Sequence, residues 1–168
     1  ELKKAKQYHS LDQAMEEPDM VNILDVPFSN LTEIPVEIGD FPNLQILSLY
    51  KNQIEELPAS IGNLENVMVV WLQFNNIKEL PAEISGMTEL RYLRLDWNEL
   101  KSLPPEIGQL KNLHGLTLRD NKLTSLPTEI GYLDKLEYID LRGNNISKDE
   151  IDNLKGMLPR VRIDYDDE

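Results

Sequence analysis

The apolar positions of the chain repeat with a period of 23 residues. The recurring pattern is Leu-x-x-Leu-x-Leu-x-x-Asn-x-Leu-x-x-Leu-Pro, and the second unit shows it at positions 44 to 58. Its polar position is occupied, 23 residues apart, by Ser29, Asn52, Asn75, Asn98, Asn121 and Asn144. A repeat of this length is typical of a solenoid, in which each unit buries its apolar face against its neighbours.

The pattern predicts one short strand and one irregular return in each unit. Leu-x-Leu alternates with a period of two, so the leucines of a strand point to one side of a sheet. Stacked units then form a parallel sheet with strands about 4.8 Å apart. The Leu-Pro pair that follows, as at Leu57 and Pro58, favours an extended or 3₁₀ return over a full helix. The crossover rule makes the solenoid right-handed.

The repeated asparagine predicts a ladder of side-chain hydrogen bonds. The chain bends inside the stack just after the strand, which leaves backbone donors and acceptors away from water. An asparagine carboxamide can satisfy both kinds of group. Ser29, at the first position of the series, supplies only a shorter hydroxyl.

Residues 21 to 146 resemble the leucine-rich-repeat family, in its 23-residue Leu-Pro-x-Glu-Ile-Gly variety. That variety is common in secreted bacterial proteins and is also seen in intracellular Ras-binding scaffolds. The segment from Leu158 to Ile163 is similar to the C-terminal end of the bacterial type, with Arg160-Val161 in place of its usual Asn/Lys-Cys. The resemblance implies a curved, non-catalytic recognition surface on a secreted or cell-surface protein, with a cytoplasmic location as the alternative.

The domain organisation follows from the limits of the repeat. We expect a single leucine-rich-repeat domain over 1–168, of the α/β class. Within it we expect an N-terminal helical cap at 1–20, six repeat units at 21–146, and a C-terminal cap with an acidic tail at 147–168. Capping-box patterns at Ser10 to Gln13 and Ser147 to Glu150 predict a short helix in each cap. We expect a last strand around residues 161–163, and a solvated, frayed tail from Asp164 rather than a calcium or docking segment.

The charge and composition disfavour several partners. The formal net charge of −13 repels a phosphate backbone, so we expect no nucleic acid. The longest apolar run, Val67 to Leu72, is far short of the roughly 20 residues of a membrane-spanning helix, so we expect no membrane insertion. Cysteine is absent, which excludes disulfides and cysteine-bound zinc.

The sequence offers no catalytic constellation. His9 and His114 are its two histidines, and neither lies in an evident triad with a serine and a carboxylate. It contains no metal-ligand spacing, phosphate loop or nucleotide fingerprint. We therefore expect a monomeric, non-enzymatic protein without cofactor or metal.

Function is expected at the variable strand positions, which point away from the leucine core. Both tryptophans and two of the three phenylalanines fall there, and exposed aromatic groups commonly mark interaction sites. The candidate partner-binding residues are Tyr50, Trp71, Phe74, Tyr92, Arg94, Asp96, Trp97, Arg119 and Arg142.

Alternative interpretations stay open at this point. Phe28 and Phe74 could fold over the bend as a structural rim, and the alternating Arg and Asp positions could form a cross-strand lattice of ion pairs. The protein-binding module also has two alternatives. One is a carbohydrate surface, with Tyr50, Trp71, Tyr92 and Trp97 stacking on sugar rings; the other is an intracellular scaffold for a small GTPase.

Overall fold

One parallel sheet runs the length of the molecule. The computed structural model describes residues 5–166, so residues 1–4 of the expected N-terminal cap and 167–168 of the acidic tail lie outside the described part. Eight strands in this range pair in chain order. They are β1 (Gln7–Tyr8), β2 (Ile23–Asp25), β3 (Ile46–Ser48), β4 (Val69–Trp71), β5 (Tyr92–Arg94), β6 (Gly115–Thr117), β7 (Tyr138–Asp140) and β8 (Arg162–Asp164). The predicted solenoid with a parallel sheet is confirmed.

The register of the sheet repeats the period of the sequence. From β2 to β7, residues 23 positions apart are direct partners, as Ser48 and Trp71 or Trp71 and Arg94 are. The central residue of each strand from β2 to β7, such as Leu47 or Leu93, is fully buried in the core. Translation by one unit therefore aligns every side chain with its counterpart in the next unit.

The returns are single 3₁₀ turns that begin after proline. They span Val36–Asp40, Ala59–Asn63, Ala82–Gly86, Pro105–Gln109 and Thr128–Tyr132. Each buries one isoleucine completely, from Ile38 to Ile130. The returns pack closely, because a Cβ atom at Gly62 would overlap the carbonyl oxygen of Glu83 in the next unit.

Asparagine carboxamides join each unit to the one before it. Asn75 Nδ2 donates to the carbonyl oxygens of Leu49 and Leu72, both at 3.0 Å, and its Oδ1 accepts from the backbone N–H of Ile54 at 3.1 Å. Asn98, Asn121 and Asn144 make the equivalent three bonds.

Ser29 stands at the beginning of this series without extending it. It is exposed, its backbone N–H donates to Asn52 Oδ1 at 2.9 Å, and its hydroxyl donates to the carbonyl oxygen of Pro27. Ser29 is therefore bonded to the first ladder asparagine through its backbone, and its side chain does not contribute to the ladder.

A second asparagine ladder, which the sequence analysis missed, precedes the strands. Asn43, Asn66 and Asn112 donate from Nδ2 to a carbonyl oxygen 24 positions earlier, at 2.8 to 2.9 Å. Their spacing in multiples of 23 was the available signal. Glu89 interrupts the series, which hides it.

The N-terminal segment covers the first repeat with more than a helix. The helix α1 (Leu11–Glu16) is present, but the Ser10 side chain makes no capping bond, so the predicted capping box is wrong. The sequence analysis also missed β1, whose two residues, Gln7 and Tyr8, pair with β2. Two residues are too few for a readable alternation of apolar and polar positions.

The C-terminal segment follows the prediction more closely. The helix α2 (Lys148–Met157) begins at Ser147, whose hydroxyl accepts from the Glu150 backbone N–H at 3.3 Å. The last strand, β8, starts one residue later than expected. The expectation of a frayed tail from Asp164 is wrong for the described residues, because Asp164 lies in β8 and the Asp166 carboxylate accepts from the Gly143 N–H.

Replacing a ladder asparagine should destabilise the fold, whereas replacing its exposed sequence neighbour should not. Asn75→Ala leaves the buried Ile54 N–H without its partner and removes one of the two asparagine bonds to each of the Leu49 and Leu72 carbonyl oxygens, so we expect a loss of about 1–3 kcal/mol in the free energy of unfolding. Asn76→Ala removes the exposed amide beside it and serves as the control. Urea unfolding of the two variants measures the difference, and equal midpoints would contradict the ladder argument.

Deleting residues 1–19 should uncover one end of the core. Without β1 and α1, the edge of β2 and buried side chains such as Leu24 meet solvent. We expect the truncated protein to aggregate or to lose cooperative unfolding, as measured by light scattering and thermal melting. A monomer with an unchanged melting temperature would show that this segment does not protect the core.

Candidate functional site: the open sheet face

The sheet has one face turned away from the leucine core, which we call the open sheet face. It consists, first, of the first and third residue of each strand from β2 to β8. It also includes, after each strand from β2 to β7, the two residues that directly precede the Ser29 or asparagine position. Leucines 24, 47 and 93 point inward, so Trp71, Tyr92 and Arg94 point outward on this face.

A strained row of residues borders this face. The residue just before the Ser29 or asparagine position has a positive φ in all six units, and in the first four it is bulky. The row consists of Phe28 (φ 54°), Lys51 (56°), Phe74 (57°), Trp97 (53°), Asp120 (53°) and Gly143 (71°). This left-handed conformation suits glycine and is uncommon for large side chains. We call Phe28, Lys51, Phe74 and Trp97 the aromatic row.

The side chains of the aromatic row stack on one another. The rings of Phe74 and Trp97 are parallel within 6°, with centroids 4.4 Å apart. Lys51 Nζ lies between two rings, 4.9 Å from Phe28 and 5.4 Å from Phe74. The Arg119 guanidinium lies over Trp97 at 5.2 Å. Phe28 also contacts Tyr50 edge-on. Ring faces therefore meet neighbours in the row, while the row stays exposed, with Phe28 at 60% and Trp97 at 40%.

Trp71 and Arg94 form the centre of the open sheet face. The Arg94 guanidinium lies 5.7 Å from the Trp71 ring centroid. Neither Arg94 nor Lys51 has a carboxylate within 4.0 Å among residues 5–166. Two cations of a strongly acidic chain thus rest on aromatic rings.

Two carboxylates of the same face are buried and have opposite pKa shifts. Asp96 accepts from the Thr117 hydroxyl at 2.5 Å and from the Arg119 N–H at 3.0 Å, and burial raises the pKa of its carboxyl. Asp140 is equally buried. The Arg142 guanidinium, which donates to it at 2.6 and 2.9 Å, outweighs that burial and lowers the Asp140 pKa. The hydrogen bonds of these two carboxylates therefore lie inside the sheet and not at its solvent-facing surface.

A tyrosine on the neighbouring column is held by the same acidic environment. The Tyr138 hydroxyl donates to Asp164 at 3.3 Å. Burial together with the charges of Asp140 and Asp164 raises the pKa of Tyr138 to about 12. The hydroxyl therefore remains a neutral donor at physiological pH.

The structure brings most of the predicted contact residues onto one surface. Of the nine, Asp96 is the buried one, and its carboxylate is engaged inside the sheet. The other eight are exposed or half-buried on the open sheet face: Tyr50, Trp71, Phe74, Tyr92, Arg94, Trp97, Arg119 and Arg142. Phe28 and Phe74 are exposed rather than folded over the bend.

The interpretation of Arg and Asp as a cross-strand lattice is wrong. The arginines of this face pair with carboxylates of their own unit, as Arg119 does with Asp120 and Arg142 with Asp140. The lysine–glutamate pairs between units lie beyond the asparagines, where Lys78 meets Glu55 at 2.6 Å. Each guanidinium therefore folds back on its own turn instead of linking two strands.

Lys51, Tyr138 and Gly115 also belong to this surface and were not among the predicted contacts. Lys51 lies in the aromatic row, Tyr138 lies in the first strand column, and Gly115 opens a depression of about 190 Å³ beside Tyr138. The signal for Gly115 was its column, in which other strands carry Ile23, Ile46, Val69, Tyr92 and Tyr138. The positive φ values of the aromatic row gave no signal in the sequence, because phenylalanine, lysine and tryptophan rarely adopt such values.

The described part of the chain contains neither a cluster of metal-binding side chains nor a membrane-spanning helix. Within residues 5–166, no group of three or more histidine, aspartate or glutamate side chains is placed to hold a metal ion. In the same range, no helix has the length and apolar character to cross a bilayer.

Models of known families match most of the repeat. The model described as leucine-rich repeat region matches residues 82–159, and the model described as leucine-rich repeat matches residues 42–100. The chain is a leucine-rich-repeat protein. The comparison with curated proteins found no match to the sequence. Leucine-rich-repeat domains are generally non-catalytic modules for protein interaction, so the family points to a surface rather than to a reaction.

Solved structures of leucine-rich-repeat proteins share the fold. A Leptospira interrogans leucine-rich-repeat protein is 34% identical with a TM-score of 0.75, over 95% of this chain and 46% of that one. The leucine-rich-repeat ectodomain of the Arabidopsis thaliana membrane receptor kinase GASSHO1/SCHENGEN3, solved in complex with CASPARIAN STRIP INTEGRITY FACTOR 2, is 28% identical with a TM-score of 0.72. That match covers 86% of this chain and 18% of the ectodomain. This chain thus spans less than half the length of either relative.

The two buried carboxylates should give opposite pH dependences of stability. The raised pKa of Asp96 makes its contribution greatest at low pH, and that contribution is lost as the pH rises through the folded-state pKa. Relative to wild type, Asp96→Asn should therefore gain stability as the pH rises above the ordinary aspartate pKa of 3.8.

Asp140→Asn is the matched control with the opposite sign. The lowered pKa of Asp140 contributes stability above its ordinary value of 3.8, and this is lost as the pH falls. Relative to wild type, Asp140→Asn should lose stability as the pH rises. Chemical unfolding of both variants across this range measures the slopes, and slopes of the same sign would contradict the assignment.

Proposed function

We propose that this leucine-rich-repeat protein is a non-catalytic, monomeric binding module that recognises a partner protein on its open sheet face. The support is the arrangement of that face, in which exposed rings and unpaired cations occupy adjacent positions of successive units. Trp, Tyr and Arg are the residue types enriched at energetic centres of protein interfaces. The solved complex of the plant ectodomain is a precedent for partner binding by this fold.

The observation that carries the proposal is the backbone conformation of the aromatic row. A left-handed conformation costs a non-glycine residue about 1–2 kcal/mol, and the sixth unit places glycine at this position. Phe28, Phe74 and Trp97 accept that cost while leaving their side chains exposed. Strained residues with exposed side chains commonly cluster at ligand sites. The stacking among the rings offsets part of this cost without making the rings inaccessible.

The charges of this face favour a partner that presents carboxylates. Arg94 and Lys51 lack carboxylate partners in the described part of the chain, although acidic residues far outnumber basic ones overall. Charge complementarity of this kind raises the association rate, and salt lowers it again. The association rate of the partner should therefore fall with increasing ionic strength.

The aromatic row is less suited to a carbohydrate. Sugar rings stack on an exposed aromatic face, but Phe74 and Trp97 turn one face to each other. Lys51 and Arg119 lie over the rings from either end of the pair. The row therefore offers ring edges to a ligand, which suits the side chains of a protein better.

We also propose that the module belongs to the Leu-Pro-x-Glu-Ile-Gly type of bacterial repeat and acts outside the cell or on its surface. The support is the repeated Leu-Pro and Ile-Gly positions together with the similarity to the Leptospira protein. Antibody labelling of intact against lysed source cells tests the location. Labelling that requires lysis would favour the cytoplasmic alternative.

Replacing Trp97 by glycine should separate binding from stability. Glycine fits the positive φ, so the relief of strain offsets the lost stacking, and we expect the melting temperature to change by no more than about 2–4 °C, the shift that roughly 1 kcal/mol produces in a chain of this size. Binding of peptides selected on the wild-type protein from a displayed random library should weaken by about 2 kcal/mol or more. Fluorescence polarisation measures the affinity.

The control removes an aromatic ring from the opposite side of the molecule. Tyr132 is 61% exposed on the return Thr128–Tyr132, so Tyr132→Ala should leave the peptide affinity unchanged. The substitutions Glu83→Ala and Glu106→Ala on other returns should also be neutral. Binding that survives Trp97→Gly but is lost with the return variants would place recognition on the returns and would contradict the proposed site on the open sheet face. A glycan array probed in parallel distinguishes the carbohydrate alternative.

A further inference from the structure

A depression on the open sheet face has no assigned role. It has a volume of about 190 Å³ and is lined by Tyr92, Arg94, His114, Gly115, Thr117, Glu137 and Tyr138. Gly115 forms its floor, because β6 lacks a side chain where the adjacent strands carry Tyr92 and Tyr138. We call it the Gly115 pocket.

The glycine at this position is not required by the backbone. Gly115 lies in the regular strand β6 and is not among the residues with positive φ. Glycine weakens a strand interior, and where it occurs there it often marks the close approach of a ligand or of another backbone. The equivalent residues of β2, β3 and β4 are Ile23, Ile46 and Val69, all of which favour strands. The pocket therefore exists at a cost in strand stability.

The walls of the pocket are two tyrosine rings with different contacts. Tyr138 makes a hydrogen bond to Asp164, and the Arg162 guanidinium of β8 lies 5.5 Å from its ring. Tyr92 is 48% exposed and leans over the floor, where its Cδ1 would lie 3.0 Å from a Cβ atom at Gly115.

The remaining space of the pocket lies against the Tyr138 ring. Tyr92 and Tyr138 stand two strands apart, which is about 9.6 Å at about 4.8 Å per strand, and the Tyr92 ring leans into this gap over Gly115. One aromatic side chain that enters the pocket can pack against Tyr138 at the roughly 4.5–7 Å of favourable aromatic pairs.

Arg94 supplies the charge at the rim of the pocket. Its guanidinium has no carboxylate within 4.0 Å in the described residues and is held by Trp71 alone. A carboxylate next to the inserted ring would form the charge-assisted bonds that Arg94 lacks. Glu137, on the opposite rim, is exposed and remains in solvent.

We propose that the Gly115 pocket is a specificity site that anchors one aromatic side chain of an acidic partner segment, whose neighbouring aspartate or glutamate pairs with Arg94. This inference rests on the proposed function, since it places the partner on the open sheet face. It goes further by naming the residue types that the partner presents and the place where they bind.

The test uses the full chain and a phage-displayed library of random dodecapeptides. Peptides selected on the wild-type protein are synthesised, and their affinities are measured by fluorescence polarisation against Gly115→Val, Arg94→Gln and Val69→Ile. Valine suits a strand and fills the pocket, so Gly115→Val should keep the melting temperature of the wild type or raise it. Val69→Ile adds a methylene to the same column two strands away and is the matched control.

We expect the selected peptides to carry an aromatic residue within two positions of aspartate or glutamate. Their affinity should fall at least about tenfold on Gly115→Val and remain unchanged on Val69→Ile. Arg94→Gln should weaken the same peptides, and this effect should vanish when the acidic residue of the peptide is replaced by its amide. The Arg94 result keeps the inference testable if Gly115→Val does not fold.

The outcomes separate the pocket from the proposed function. Peptides that lose affinity on Trp97→Gly but bind Gly115→Val as well as wild type would overturn the pocket and leave the proposed function standing. Peptides insensitive to both variants would contradict the proposed function itself. Enrichment of basic residues beside the ring would overturn the assignment to Arg94, and a selection that enriches no peptide on wild type would overturn the inference.

Discussion

The pairing of asparagine carboxamides with buried backbone groups is the constraint on which the rest of the structure depends. Each strand is three residues long from β2 onward, too short to fix its own position in a sheet. Asn75 bonds to carbonyl groups of its own unit and the previous one, and it accepts from the N–H of Ile54. Because an unsatisfied buried polar group costs about 1–3 kcal/mol, a slip by one residue would disrupt every rung of the ladder. The second ladder, through Asn66 and its counterparts, fixes the other end of the strand.

Strict register has a direct consequence for the surface. Equivalent side chains are held about 4.8 Å apart along each column, which is close to the stacking distance of aromatic rings. Phe74 and Trp97 therefore stack face to face, and Lys51 falls between two rings instead of pointing freely into solvent. The same spacing would bring like charges together. The chain avoids this by folding Arg119 and Arg142 back onto Asp120 and Asp140 of their own units.

The direction of the side chains in the repeated strands was predictable from sequence, whereas the first strand was not. The inward direction of Leu47 and the outward direction of Trp71 follow from a period of two, repeated often enough to exclude another register. The strand β1 occurs once, has two residues and gives no periodic signal. The burial of a side chain was harder to predict from the sequence than the face of the sheet to which it points. Asp96 points to the open sheet face as expected, yet its bonds to Thr117 and the Arg119 backbone draw it into the sheet.

The open sheet face departs from local conformational preference in two opposite ways. The aromatic row places Phe74 and Trp97 where the backbone favours glycine, while β6 places Gly115 where a strand favours a β-branched residue. A glycine in place of Phe74 or Trp97 would relieve local strain, and a β-branched residue in place of Gly115 would strengthen the sheet. Such departures are expected where function competes with stability. Glycines of the returns, such as Gly62, differ because backbone contact with the next unit requires them. The departures without a structural requirement lie on the open sheet face, where exposed rings adjoin the Gly115 pocket and the Arg94 guanidinium, which has no carboxylate partner among residues 5–166.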